Sequence, residues 1–497
     1  MPKPRTTVFE NGATLIYQKQ NTFDGCHFII GFRGGSQLDG KYTGLSHLLE
    51  HLLFRSPKEN LTQNILSNIL NYTINQNAYT SKNYIVVDFS AASKNVDIAL
   101  KNCVDMLSNK KFSTDQIAKE IQVVKQEISL TKDAMNHQPI TALDNFILAI
   151  DPERGQTSSH DEILGSAKTL GTITPDILTK YVKRYFNTDN LVVSVTTNKS
   201  ETEIVELLNK YVFPKFSEAK DPRFVIGVPE KKLYNDLNAL ITLPDPSRTG
   251  VDITLLLKDR LGESENVNKE YAYEVIEEYM MNTIGGLLWD KLRTKKQLVY
   301  SYGLSHLDLD TVKYKMFTAT TNEKNMRTTI KEICNTIKHI GEHGVPEEMF
   351  NQVKKALDTQ KAAVLQRFKN CSASENFNDY LTQRDFLDYD VVSKYISNAK
   401  YEDFNRHITQ TYKTANVSLL VDGGFQSNHV YNLIEVENML GNHAHDEQKE
   451  QLNVPRMEFT SPVSPVKDED VEVIYIPEEY LQNQQVIPVD AEPVKNR

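Results

Sequence analysis

The sequence predicts an α+β fold in which two similar domains each pack an antiparallel-rich sheet against helices. The order of elements that runs from a hairpin at residues 6–19 to a closing strand at 191–196 is repeated from a strand at 252–257 to a closing strand at 417–421. The length of 497 residues is sufficient for two such units. We therefore expect one domain in each half of the chain.

Changes in composition divide the chain. The predicted segments are a first domain at 1–212, a linker at 213–236, a second domain at 237–430 and a tail at 431–497. The linker is rich in proline and charge. The tail is acidic and interrupted by prolines, and we expect it to be disordered or loosely attached because such a composition cannot bury a core. His443 and His445 in the tail are interpreted as solvated side chains rather than weak metal ligands.

Charge and cysteine usage exclude several classes of function. The formal net charge is −10 and no basic tract occurs, so nucleic acid is not an expected partner. No apolar run approaches a membrane span, and residues 1–5 lack the apolar core of a signal peptide. The four cysteines are far apart and are expected to be reduced. These features predict an intracellular, cytoplasmic protein without a membrane partner.

Local patterns predict the elements of the first half. Asn11-Gly12 is a strong turn signal between two strand-like runs and predicts the hairpin. Further strands are expected at 26–32, 84–89 and 191–196, and helices at 61–71, 94–107, 113–132, 201–211 and from Pro175. Most helices carry apolar residues at helical spacing, whereas the strand at 84–89 is rich in residues that favour sheets.

The stretch from His47 to His51 carries the clearest chemical signal. The two histidines are four residues apart on a predicted helix, so they lie on one face and can hold one metal ion from the same side. Glu50 is turned about 60° from His47, which places its carboxylate beside the metal rather than on it. Because two histidines at this spacing also occur by chance, a third ligand is needed to support the prediction.

The helix at 113–132 offers two candidates for that ligand. Glu120 and Glu127 are seven residues apart and point the same way at the margin of the apolar stripe. A half-buried carboxylate costs free energy unless it is paired or bound to a metal, so Glu127 is a candidate ligand with Glu120 behind it. Charged residues on a helix usually form a solvated face, and the sequence alone leaves both interpretations open.

A polar segment at 75–81 precedes the strand at 84–89. An exposed sheet edge there could pair with an extended peptide through backbone hydrogen bonds. An ordinary edge strand with polar residues explains the pattern equally well.

The second half repeats these elements without a metal motif at the position equivalent to His47. We expect helical residues at 268–292, which contain Gly285-Gly286, then strands at 300–303 and 314–320, and then long helices to about residue 414. Metal is therefore expected in the first domain only.

Four motifs in this order resemble the pitrilysin, insulinase and mitochondrial processing peptidase family of zinc peptidases, the inverzincins. The matching residues are His47–His51, the pair Glu120 and Glu127, Asn77–Thr80, and Arg293 with Tyr300. Glu127 follows His51 by 76 residues, which is the family spacing. The resemblance covers about residues 6–425.

The resemblance implies a zinc-dependent metalloendopeptidase that cleaves peptides or small unfolded proteins inside a closed chamber. His47, His51 and Glu127 would bind one Zn²⁺ per chain and leave a fourth position for water. Glu50 would act as the general base and Glu120 would orient the ligands.

The second domain and the predicted edge supply the remaining implied roles. Tyr300 would stabilise the oxyanion, and Arg293 would fix the substrate or Tyr300. Asn77 and Ala78 would pair with the substrate backbone as an added strand.

The resemblance also implies a partner and leaves an alternative. In the family, two such units close into a clam-like chamber, so a homodimer or a pairing with a homologous subunit is expected. Residues 52–56 and 75–76 depart from the usual family residues, and these loops would shape specificity. The alternative function is a non-catalytic, zinc-binding structural subunit of the same fold.

Overall fold

The computed structural model contains two six-stranded sheets, each covered by helices. The residues it describes are 2–21, 24–53, 71–108, 111–133, 163–227, 238–258, 266–309, 312–359, 373–413, 417–441 and 456–460. The predicted helix at 61–71 therefore lies almost entirely outside the described residues. No helix within these ranges is both long and apolar enough to cross a bilayer.

The sheet of the first domain has the spatial order β1-β2-β6-β3-β5-β4. Its strands are β1 Arg5–Val8, β2 Thr14–Lys19, β3 Gly25–Arg33, β4 Asn75–Thr80, β5 Tyr84–Ala92 and β6 Leu191–Thr197. The hairpin forms as predicted: Val8 pairs with Thr14, and Gly12 takes a positive φ of 83° that suits glycine. The polar segment predicted as an edge is β4, the outermost strand of this sheet.

Helices cover one face of the first sheet and bury a shared apolar core. They are α1 Leu45–Leu53, α2 Val96–Leu107, α3 Thr114–Asp133, α4 Ala167–Leu170, α5 Pro175–Tyr185 and α6 Glu201–Leu207. The predicted linker is partly attached to this domain, because Phe216 is buried in its core and the Ile226 N–H donates to Asn190 Oδ1 at 2.7 Å.

The second domain has a sheet of order β12-β7-β11-β8-β10-β9. Its strands are β7 Asn238–Pro244, β8 Gly250–Lys258, β9 Ser301–Leu309, β10 Val312–Asn322, β11 Val417–Gly423 and β12 Arg456–Thr460. Its helices are α7 Val267–Asn282, α8 Glu323–His343, α9 Glu347–Thr359, α10 at 373–381, α11 Tyr389–Asn398, α12 Tyr401–Thr411 and α13 Leu433–Leu440. The sequence did not predict β7, although six of its seven residues are buried.

The two domains are copies of one topology. The five strands β2-β6-β3-β5-β4 correspond in order to β7-β11-β8-β10-β9, and the pairs β2–β6 and β7–β11 are both parallel whereas the others are antiparallel. Helix α1 stands between β3 and β4, as α7 stands between β8 and β9. The predicted fold of two similar domains is confirmed.

Helix α10 of the second domain packs on the face of the first sheet opposite α1. The Phe377 ring lies in an apolar cluster with Ile29 and Val86. Gly31 allows this approach, because a Cβ there would lie 2.6 Å from the Phe377 ring. Asn376 Nδ2 also donates to Gln18 Oε1 at 2.9 Å. This contact joins the two domains within one chain.

The predicted tail needs a correction, because the described structure of the second domain continues beyond residue 431. Asn432 caps α13 through its side chain, and Leu433 and Val436 are buried in the core of the second domain. Strand β12 then pairs in parallel with β7. The average composition of residues 431–497 does not indicate this short helix and strand. The helix depends on a local cap, and the strand depends on the unpaired side of a neighbouring strand. Residues 461–497 lie outside the described residues.

Candidate metal centre

The start of α1 is fixed by a buried carboxylate. Asp39 accepts hydrogen bonds from the Ser46 N–H at 3.1 Å and from Ser46 Oγ at 2.5 Å. Burial raises the pKa of the Asp39 carboxyl to about 7, against the effect of these hydrogen bonds. The Tyr181 hydroxyl lies 2.9 Å from Ser46 Oγ and donates to the Gly35 carbonyl. The network ties the first turn of α1 to α5 and to the loop after β3.

Glycine and leucine residues set the path and the orientation of α1. Gly44 has a φ of 88°, and a Cβ there would lie 2.7 Å from the Leu164 carbonyl oxygen, so a side chain would meet both strain and a clash. Leu48, Leu49 and Leu52 are buried in the core of the first domain. Because these leucines hold one side of the helix, the histidines are left to face α3.

Helix α3 completes the cluster with Glu127. Glu127 Oε2 lies 3.6 Å from His47 Nε2 and 3.4 Å from His51 Nε2. The two imidazole centroids are 4.7 Å apart. Donor atoms of all three side chains lie within 4.8 Å of one another. Two imidazole nitrogens and one carboxylate oxygen form a donor set that zinc accepts, so these residues fit a zinc ion.

A second carboxylate stands behind His51. Glu120 is buried at 5% exposure, and its Oε2 lies 3.5 Å from His51 Nδ1. The contact with Glu127 is the main factor that raises the pKa of His51, and the charges of Glu50 and Glu120 act in the same direction. Carboxylates that favour a proton on His51 would also favour a bound cation at the same place.

Glu50 lies beside the cluster and is held by a residue of β4. Thr80 Oγ1 donates a hydrogen bond to Glu50 Oε2 at 3.0 Å. Burial raises the pKa of the Glu50 carboxyl, and the hydrogen bond from Thr80 opposes this rise. No role was predicted for Thr80 from the sequence, although it is the last residue of the matching stretch that begins at Asn77.

The edge of β4 presents backbone groups to an incoming strand. The Ser81 N–H donates to the Tyr84 carbonyl, so alternate residues of β4 face β5 and those between them face outward. By this alternation the amide and carbonyl of Ala78 face the open edge, whereas those of Asn77 face β5. The geometry suits the predicted backbone pairing at Ala78, with Asn77 contributing an exposed side chain.

Arg293 and Tyr300 of the second domain make no described contact with the cluster of His47, His51 and Glu127. The Arg293 guanidinium lies 5.1 Å from the centre of a Trp289 ring, and Tyr300 is 83% exposed. Within the described ranges, no hydrogen bond or ion pair joins Arg293 or Tyr300 to His47, His51 or Glu127. One chain therefore assembles the metal-binding part of the predicted site without these two residues.

Two parts of the chain match models of known protein families. Residues 14–151 match the family described as "Insulinase (Peptidase family M16)", and residues 172–357 match "Peptidase M16 inactive domain". The chain belongs to peptidase family M16. The first match contains the His47 cluster, and the second contains Arg293 and Tyr300. The family resemblance read from the sequence is confirmed.

The relatives of this M16 member include proteins named as zinc proteases. An "Uncharacterized zinc protease" of Rickettsia bellii is 24% identical over 390 residues, which cover 78% of this chain and 88% of that protein. A probable mitochondrial-processing peptidase subunit beta of Schizosaccharomyces pombe is 27% identical over 217 residues, which cover 42% of this chain and 45% of that protein. These names support a peptidase-like function.

Solved structures show the same fold. The first half of the periplasmic protease PqqL from Escherichia coli superposes with a TM-score of 0.68 at 16% identity and covers 90% of this chain and 98% of that half. The whole of PqqL covers 96% of this chain, but only 53% of its own length is matched. This M16 chain therefore has the fold of one half of PqqL.

Proposed function

We propose that this M16 protein is a zinc-dependent metalloendopeptidase that cleaves peptides or small unfolded proteins. One observation carries the proposal: the donor atoms of His47, His51 and Glu127 lie within 4.8 Å of one another. Glu50 is not part of this group. A three-ligand set that leaves a coordination position open is typical of catalytic rather than structural zinc sites. The zinc proteases among the relatives support the same reaction class.

Each residue of the centre has a definite task in this proposal. His47, His51 and Glu127 would hold one zinc ion per chain, and the bound ion would supply a Lewis acid that lowers the pKa of a water molecule to about 7. Glu50 takes a proton from the attacking water and returns it to the leaving amine. Burial makes this carboxylate a stronger base, and Thr80 fixes its direction. Glu120 keeps the His51 ring in orientation.

Substrate binding uses the edge of β4. An extended peptide pairs with the outward amide and carbonyl of Ala78, and the Asn77 side chain contacts it from the same strand. Folded proteins rarely present a free extended segment, so peptides and unfolded chains are the favoured substrates. Tyr300 and Arg293 stabilise the oxyanion and the substrate from a second copy of the chain or a homologous subunit.

The first prediction separates metal binding from proton transfer. The Glu50→Gln protein should keep about one zinc per chain and lose nearly all turnover of a quenched peptide library, because the amide preserves shape and removes only the base. His47→Ala, His51→Ala and Glu127→Gln should lose zinc, whereas Glu120→Gln should reduce activity or zinc affinity by about 10 to 100-fold. Elemental analysis measures the zinc content, and cleavage of the quenched peptide library measures the turnover.

Two results would contradict these assignments. Turnover by Glu50→Gln near the wild-type rate would remove Glu50 as the general base. Full zinc occupancy in Glu127→Gln would remove Glu127 as an essential ligand. Zinc-loaded wild-type protein that cleaves nothing in the library, alone or with a homologous subunit, would favour the alternative of a non-catalytic structural subunit.

A further inference from the structure

A second pair of histidines has the same spacing as the pair in α1. His339, Glu342 and His343 stand in the order H-x-x-E-H in the last turns of α8. In the duplicated topology α8 follows β10 as α2 follows β5, whereas α1 corresponds to α7. The pair is therefore not the second-domain copy of the candidate metal centre, and it needs an explanation of its own.

The two rings lie together on the outer face of the helix. Their centroids are 5.0 Å apart, close to the 4.7 Å between the rings of His47 and His51. Both residues are exposed, and the His343 side chain is 64% exposed. Ile340, between them, is buried in the core of the second domain and fixes the side of the helix that faces solvent. Packing thus presents both imidazoles to water on one surface.

The electrostatic surroundings are mixed but permit a cation. The Glu342 carboxylate lies 3.8 Å from His343 Nε2, and the carbonyl groups at the end of a helix carry partial negative charge. Lys338, which lies 3.9 Å from Glu342, and Lys291 act against a cation. Partial burial, Lys291 and His343 lower the pKa of the His339 ring.

We propose that His339 and His343 form a second transition-metal site, which takes a divalent ion of the zinc, nickel or copper class through two imidazoles. In the described part of the chain, the two histidines do not belong to a group of three side chains whose donor atoms all lie within 4.8 Å of one another. Water completes the coordination, so the ion is held more weakly than at a three-ligand centre and exchanges readily. Cu²⁺ binds most tightly of the three ions at such a nitrogen site.

The test is a metal titration of the full-length protein already loaded with one zinc. Equilibrium dialysis against Zn²⁺ at pH 7, followed by elemental analysis, gives the affinity of any second equivalent. The wild-type protein should bind a second zinc equivalent. The His339→Ala/His343→Ala variant should bind this second equivalent with an affinity lower by about tenfold or more. His443→Ala/His445→Ala, which removes the other closely spaced pair outside α1, is the matched control and should leave it unchanged.

The identity of the ligands is checked with a second probe. The electron paramagnetic resonance spectrum of the second Cu²⁺ equivalent should show coupling to two imidazole nitrogens, and the double variant should lose this signal. His47→Ala/His51→Ala should lose the tight zinc and keep the weak site, so a failure of the proposed catalytic centre does not affect the result. The proposal would be overturned if the His339→Ala/His343→Ala variant still bound a second metal equivalent with wild-type affinity. It would also be overturned if the His443→Ala/His445→Ala variant lost that second equivalent.

Discussion

At the scale of single residues, spacing alone does not make a zinc centre. The pair His47 and His51 and the pair His339 and His343 have the same separation in sequence and similar ring distances. They differ in their surroundings, because α3 brings Glu127 within 3.6 Å of the first pair and no described side chain does the same for the second. The third donor therefore decides which pair is suited to tight binding.

Thr80 provides a prediction at the same scale. Thr80→Val keeps the shape of the side chain but removes the donor to Glu50 Oε2, so Glu50 should be less well oriented and kcat should fall by about 10-fold. Thr80→Ser restores the hydroxyl and should recover most of the rate. Zinc content and KM should change little, because the substitution alters only the side chain and leaves the outward backbone N–H and carbonyl of Thr80 in place. Equal kcat values for valine and threonine would assign Thr80 a packing role only.

At the scale of elements, α1 and β4 form one functional unit. The N-terminal turn of α1 is fixed by Asp39, and its Glu50 is tied to β4 by Thr80. Among the described residues, strand β4 pairs with β5 along one side, and no described strand pairs with its other side. In the proposed function, proton transfer by Glu50 and substrate pairing with β4 would therefore take place side by side.

A proline substitution tests the use of that edge. Ala78→Pro removes an N–H that faces outward, so the sheet should keep its internal hydrogen bonds while a bound peptide loses one. We expect KM to rise by about 5-fold, since a hydrogen bond contributes about 1 kcal/mol. Steady-state kinetics on one peptide give KM and kcat.

The opposite edge of the same sheet supplies the control. In β1 the Phe9 N–H donates to the Ala13 carbonyl, so by alternation the Thr6 N–H faces outward as that of Ala78 does. Thr6→Pro should leave KM unchanged. A similar rise in KM for both variants would mean that proline disturbs the sheet in general, and no rise for Ala78→Pro would remove β4 from substrate binding.

At the scale of the whole molecule, one chain has the fold of one half of PqqL. The match to 98% of the first half of PqqL and to only 53% of its full length fits this size. Tyr300 is 83% exposed and has no described contact with the His47 cluster, so its predicted role requires a second unit. A two-fold dimer would bring Tyr300 of one copy to the metal centre of the other.

Complementation tests this shared site. Glu50→Gln and Tyr300→Phe proteins should each be nearly inactive, and mixing them with subunit exchange should restore about a quarter of wild-type activity. Half of randomly formed dimers are mixed, and each mixed dimer contains one intact site out of two. If both residues acted within one chain, no mixed dimer would contain an intact site. An absence of recovery despite demonstrated exchange, or full activity in a monomer, would reject the shared site.

Much of the site could be predicted from the sequence because its signals are local. The turn at Asn11-Gly12 and the facing of His47 and His51 follow from rules that act over a few residues. The pair Glu120 and Glu127 is similarly fixed by helical periodicity, which places both on one side of α3. The repeated order of elements predicted two similar domains for the same reason, since each element carries its own pattern.

Only the tertiary structure decided the rest. The sequence left Glu127 open as ligand or solvated charge, and the packing of α1 against α3 brings its carboxylate to both imidazoles. Thr80 reaches Glu50 across thirty residues of sequence, and α10 covers a sheet whose last strand ends at Thr197, far earlier in the chain. The tail boundary was wrong because β12 is stabilised by β7, a strand that begins at Asn238. Such contacts depend on which surfaces of the neighbouring elements remain exposed when those elements pack together. A local sequence pattern contains no information about that packing.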